Sequence, residues 1–83
     1  MRKLGASTSA HEPVAVDVVV DDLELRVTLR DGHAVTVPLA RFPRLAAGTA
    51  ESRSDWRLIG GGDGIHWDLV DEDISVAALL RHG

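Results

Sequence analysis

The stretch that decides the fold runs from Gly60 to Leu80: Gly60-Gly61-Gly62-Asp63-Gly64, Ile65-His66-Trp67, then Asp71-Glu72-Asp73-Ile74-Ser75 and Val76-Ala77-Ala78-Leu79-Leu80. The glycine cluster reads as a loop and Ile65-His66-Trp67 as a strand, so the loop closes a hairpin with Trp56-Arg57-Leu58-Ile59. Ser75 is a natural helix cap, and Ile74 before it is placed to pack on Leu79 as a hydrophobic staple. The segment therefore encodes a hairpin and then a capped helix. On this reading Asp71, Glu72 and Asp73 lie just outside the positive end of that helix and complement its dipole.

The hairpin admits two registers of opposite parity. Leu58 opposite His66 separates Ile65 and Trp67 from Trp56 and Leu58. Leu58 opposite Trp67 gathers Trp56, Leu58, Ile65 and Trp67 on one face and sets Arg57 opposite Asp68 as a charge pair. The second is expected, with a loop of about four residues from Gly61 to Gly64, within the usual hairpin range.

Working back toward the N-terminus, Leu23, Leu25, Val27 and Leu29 alternate with Glu24, Arg26, Thr28 and Arg30, the pattern of a strand with one buried face. Val16, Val18 and Val20 form an earlier strand face, with Asp21-Asp22 as the turn between them. Asp31-Gly32 predicts a type I′ hairpin turn into Val35, Val37 and Leu39, with Pro38 at an edge or exit. Pro43 suits the first turn of a short helix ending at Ala47, with Gly48 just past it. Thr49 caps a further turn through Arg53, with Glu51 early in it. The expected fold class is α+β, a small antiparallel sheet in the order β-β-β-α-β-β-α, with residues 1–13 as a mobile tail and 14–83 as a single domain.

The 83 residues allow one domain with a thin core, burying about 60 to 65% of the unfolded surface. At 45% hydrophobic and 27% charged the chain is in the globular range. The absence of cysteine excludes disulfides, thiolate catalysis and cysteine-held zinc. No apolar run approaches the ~18 residues of a membrane span. A net charge of -4 with scattered arginines argues against phosphate-backbone binding. The expectation is a cytoplasmic protein, and arginine in place of lysine together with the Ala, Val, Asp and Gly content points to a GC-rich bacterial genome.

Four groups of residues carry candidate chemistry. His66, Asp68, Asp63 and the Asp71 to Asp73 run have the donor types of a zinc or manganese site, but they match no ligand motif and Arg57 shares the face of His66 and Asp68. Gly60 to Gly64 resembles a phosphate-cradling loop in composition only, because a strand and not a helix follows and Asp63 would repel the anion. Ser52, Ser54, Ser75 and Thr49 all fit as caps or loop residues, and none is spaced as a nucleophile for His66. Trp56 and Trp67 read as core rather than as a stacking platform. No catalytic, cofactor or metal residue is assigned.

Ile65-His66-Trp67 with Asp71-Glu72-Asp73-Ile74-Ser75-Val76 and Leu79-Leu80 resembles a bacterial family known as domain of unknown function 2442. Leu25, Val27, Asp31-Gly32, Val37-Pro38-Leu39, Phe42-Pro43-Arg44-Leu45 and Trp56-Arg57-Leu58-Ile59-Gly60 follow in step, from about Val14 to Leu80. Asp68 stands where the family favours proline and Ala78 where it often has glycine. The resemblance implies a small α+β module with no established reaction, stand-alone or appended to helix-turn-helix domains, and often encoded beside another small protein in a toxin-antitoxin-like arrangement. The leading expectation is a non-enzymatic module that binds a small protein partner, such as the product of an adjacent gene, through a strand edge and the acids Asp71, Glu72 and Asp73. The alternatives are a metal-dependent or other small enzyme using His66 and the nearby acids, and an accessory domain of a nucleic-acid-associated regulator.

Overall fold

The computed structural model describes residues 13–82; the tail expected over residues 1–13 lies outside them apart from Pro13. The fold is α+β, built from two three-stranded antiparallel sheets and three short helices. The first sheet is β1 (Ala15–Val20), β2 (Glu24–Leu29) and β3 (Ala34–Pro38), with β2 in the centre. A 3-10 turn at Leu39–Arg41 leads to α1 (Pro43–Ala46) and α2 (Ala50–Ser54). The second sheet is β4 (Trp56–Ile59), β5 (Gly64–Trp67) and β6 (Glu72–Ser75), with β5 central, and α3 (Val76–His82) closes the chain. Where one sheet of five strands was expected there are two sheets of three, and the additional strand is β6.

The alternation of β2 puts Leu25, Val27 and Leu29 into the core, all under 8% exposed. Leu23 does not join them. It is 78% exposed, because Asp21 bends the chain by accepting the N–H groups of both Leu23 and Glu24, so the strand starts one residue later. Leu23 contributes its backbone instead, its carbonyl accepting the Leu39 N–H at 2.9 Å. Val16 likewise leaves the expected face of β1. Ala15 pairs with Leu29 and Asp17 with Thr28, so Val16 is the extra residue of a bulge, which reverses the facing N-terminal to it and buries Ala15 in its place. The β2–β3 connection is not a type I′ turn, since a positive φ is found at Gly32 (97°) and not at Asp31. Gly32 donates to the Leu29 carbonyl and Leu29 to that of His33, the arrangement of a turn followed by a left-handed glycine.

Pro43 occupies the first turn of α1, and Thr49 caps α2 through a reciprocal box: its hydroxyl accepts the Ser52 N–H and the Ser52 hydroxyl accepts its own. Two short helices in succession are tied together by Arg53. Its guanidinium donates to the Leu45 and Ala46 carbonyls at the end of α1 and to Asp22 in the β1–β2 turn. Helix ends leave carbonyls without intrahelical partners, and this side chain, only 11% exposed, supplies them.

In the second sheet Trp56 stands opposite Trp67 and Leu58 opposite Ile65. The expected pairings of Leu58 with Trp67 and Arg57 with Asp68 are therefore two residues out of register. The glycines are the reason: Gly60, Gly61 and Gly62 all adopt positive φ and coil into a 3-10 turn, so the loop closes at Ile59 and Gly64 and the latter joins the strand. Gly62 also lies against β1, where a Cβ would meet the Ala15 carbonyl at 2.6 Å. A slip of two preserves parity, so Trp56, Leu58, Ile65 and Trp67 still share the inward face.

Trp67 and Ile65 are fully buried, in one cluster with residues of the first sheet and with Leu45, Val76 and Leu79. The Trp67 indole N–H donates to the Arg53 carbonyl at 3.0 Å. Trp67→Ala is expected to cost about 3–5 kcal/mol, the range for a large aromatic lost from a core, as read from urea unfolding. A variant with the parent's midpoint would show that the indole packs outside the core.

Candidate functional site

Because β5 lies between β4 and β6, the outward residues Arg57, His66 and Asp73 stand opposite one another in a row across the second sheet. Asp68, just past β5, folds back onto the same face. His66 Nδ1 lies 2.5 Å from Asp73 Oδ1, its Nε2 lies 2.9 Å from Asp68 Oδ1, and the Arg57 guanidinium reaches that same oxygen at 3.3 Å. The His66 side chain is 18% exposed, far less than its partners. A neutral imidazole has one N–H and one lone pair, so only the doubly protonated ring satisfies both carboxylates. The hydrogen bond to Asp73 accordingly raises the His66 pKa above its ordinary value, with the charges of Asp73 and Asp68 adding to it and burial and Arg57 opposing. Arg57 holds the Asp68 carboxyl below the usual range. A raised folded-state value means that the His66 interaction stabilises fully below the unfolded pKa and fades as pH climbs through the folded one.

The three acids named from sequence occupy three environments. Asp71 sits in the β5–β6 turn with φ of 53°, and its carbonyl accepts Arg44 Nη1 at 2.6 Å. Glu72 is half-buried opposite Trp67, while Asp73 is exposed opposite His66. Strand alternation sends Glu72 and Asp73 to opposite faces. The acids therefore do not complement the dipole of α3 as expected. Ser75 does cap that helix, its hydroxyl accepting the Ala78 N–H, and the Asp63 carbonyl accepts that of Val76. The Asp63 carboxylate folds back over Gly60, where a Cβ would stand 2.1 Å from its Oδ1. Strand β5 follows the loop, so no helix N-terminus faces it.

Ser52 and Ser75 act as caps and Ser54 donates to the Glu51 carbonyl, while both ring nitrogens of His66 are taken by carboxylates. Among the described residues no group of three or more His, Cys, Asp or Glu is arranged to hold a metal ion. Sequence reasoning passed over two residues that matter here, Arg53 and Arg44. Arg53 reaches the Leu45 and Ala46 carbonyls besides Asp22, and Arg44 the Asp71 carbonyl; carbonyls leave no mark in a sequence, and the signal available was the need of a buried indole and of the end of α1 for partners.

β6 is, with β4, an outer strand of its sheet, and two grooves are lined by its residues Asp73, Ile74 and Ser75. One, of about 410 Å³, lies between β6, the start of α3 and the Arg41-Phe42 segment, with Phe42, Ile74 and Leu79 as its apolar lining. The other, of about 560 Å³, is bordered by Ile59, Asp63, Gly64 and Ala77. β1 approaches α2 and β4, while β3 and β6 both approach α3. No helix among the described residues is long and apolar enough to cross a membrane.

Fold and site together define a small α+β protein with an outer strand beside a charged row. The chain belongs to the family described as protein of unknown function (DUF2442), whose model matches residues 15–83. In fold it is similar to a protein of unknown function from Rhodospirillum rubrum ATCC 11170, seen in a crystal structure, with a TM-score of 0.76 and 24% identity over 87% of this chain and 89% of that one. No curated protein matches it.

With both His66 nitrogens engaged and Arg57 on the same face, a divalent cation would have to displace a cation already present. The melting temperature is expected to be the same with EDTA as with added zinc or manganese. Stabilisation by zinc that disappears in His66→Ala would contradict this and favour the metal-dependent reading.

Proposed function

We propose that this chain is a non-enzymatic, cytoplasmic bacterial interaction module that binds a small protein partner along β6. The observation that carries the reading is the position of β6: an outer strand with an apolar groove beside it, where a partner strand would find backbone groups to pair with and a lining for alternate side chains. The same strand bears Glu72 and Asp73, with Asp71 at its entry. A second copy would bring like charges together across such a pairing, whereas a basic strand would be attracted. The neighbouring-gene arrangement implied by the family resemblance makes the adjacent gene's product the first partner to test, as one member of a toxin-antitoxin-like pair.

The test uses purified adjacent gene product and the intact chain. Binding should protect the Glu72 to Ser75 amides from hydrogen exchange more than those of β2. Asp71→Asn should slow association severalfold at low salt and by little at high salt, as rim charges do. Asparagine is chosen at Asp71 because it tolerates the positive φ there. Absence of binding by calorimetry, or binding that leaves β6 exchange unchanged, would refute the proposal.

A further inference from the structure

The row Arg57, Asp68, His66, Asp73 does more than decorate a face, because it connects all three strands of the second sheet. Arg57 belongs to β4, His66 to β5 and Asp73 to β6, while Asp68 bridges the first two. With His66 protonated the charges alternate along the row, plus, minus, plus, minus. With His66 neutral the third position carries no charge, and one of the two carboxylates faces a nitrogen lone pair. These are the charged groups that face His66 among the described residues.

We propose that His66 is a proton-dependent latch on the β6 edge strand: the imidazolium ties Asp73 of β6 to Asp68 and Arg57, and loss of its proton slackens β6. The latch would regulate the same edge assigned above to partner binding, and it rests on that reading only for its biological use; the device itself is a property of the free protein. Asp68 retains Arg57 as a partner when the ring is neutral. Among the described residues Asp73 pairs through its side chain with His66, so the weakening falls on β6. β6 is a short outer strand: it has four residues and pairs within its sheet on one side, with β5, and the Arg44 bond to the Asp71 carbonyl ties the turn before it. Local opening free energies are lowest where such support is thin.

The test needs no partner, so its failure would leave the proposed function standing, and failure to find a partner would leave the latch standing. The ring nitrogens of His66 are followed by NMR from pH 5 to 9, with His66→Gln to assign them. In parallel, exchange of the Glu72 to Ser75 amides is measured relative to that of the β2 amides, a ratio that cancels the rise of intrinsic exchange with pH. The expected result is a His66 ring that titrates above the ordinary ~6.5 of imidazole and carries a proton on both nitrogens below that titration, with relative protection of β6 lost through it. In Asp73→Asn the titration should move down toward the ordinary value. In His66→Gln the β6 ratio should stay flat over the whole range. A His66 that titrates at or below the ordinary value, or a β6 ratio that ignores the titration or drifts equally in His66→Gln, would overturn the latch.

Discussion

The burial of the Trp67 indole is the constraint on which the rest of this structure depends. A chain of this length has few large side chains to spend on a core, and Trp67 is the largest that is fully buried. Burying it requires an acceptor for its N–H, which is the Arg53 carbonyl. That carbonyl is positioned by α2, and the Arg53 side chain in turn holds the end of α1 and the β1–β2 turn. One aromatic ring and one arginine thus join the second sheet, both middle helices and the first sheet. The same residue sets the facing around it: with Trp56 opposite and Ile65 two positions before, the inward face of β4 and β5 is settled, and His66 must point the other way.

What was legible in the sequence follows from how local each signal is. The caps at Thr49 and Ser75 and the proline at Pro43 act within a turn of their own position, and all three are found in place. Strand parity was legible because Trp56, Leu58, Ile65 and Trp67 have to bury together. Register was not, because it depended on how much chain Gly60 to Gly62 absorb, and three glycines at positive φ permit several answers. Val16 and Leu23 were misplaced for a related reason: a bulge or an aspartate turn shifts alternation by one, and periodicity alone does not record the shift. Strand β6 was missed because Glu72 and Asp73 resemble a helix N-terminus in composition. They are held in a strand by pairing with Trp67 and His66, contacts invisible to local propensity.

The candidate site shows the same limit from the other side. His66, Asp68 and Asp73 were singled out for their chemistry, and they do meet. Arg57 completes the set, donating to the same Asp68 oxygen that faces His66. Charges along an outer strand also discourage indiscriminate pairing, which every open edge in a small sheet invites. The row therefore ties β6 to β5 and β4, a tie that the proposed latch makes dependent on a proton.

Exchange of the Trp67 indole N–H, read as its Hε1 resonance in deuterated buffer, reports most directly on how the two sheets are joined. A hydrogen held inside the core and bonded to the Arg53 carbonyl exchanges only through opening of the fold, so it should persist as long as the slowest amides of β2. An indole hydrogen that is lost at once while those amides remain protected would contradict the account, since the two sheets would then be joined by something other than Trp67.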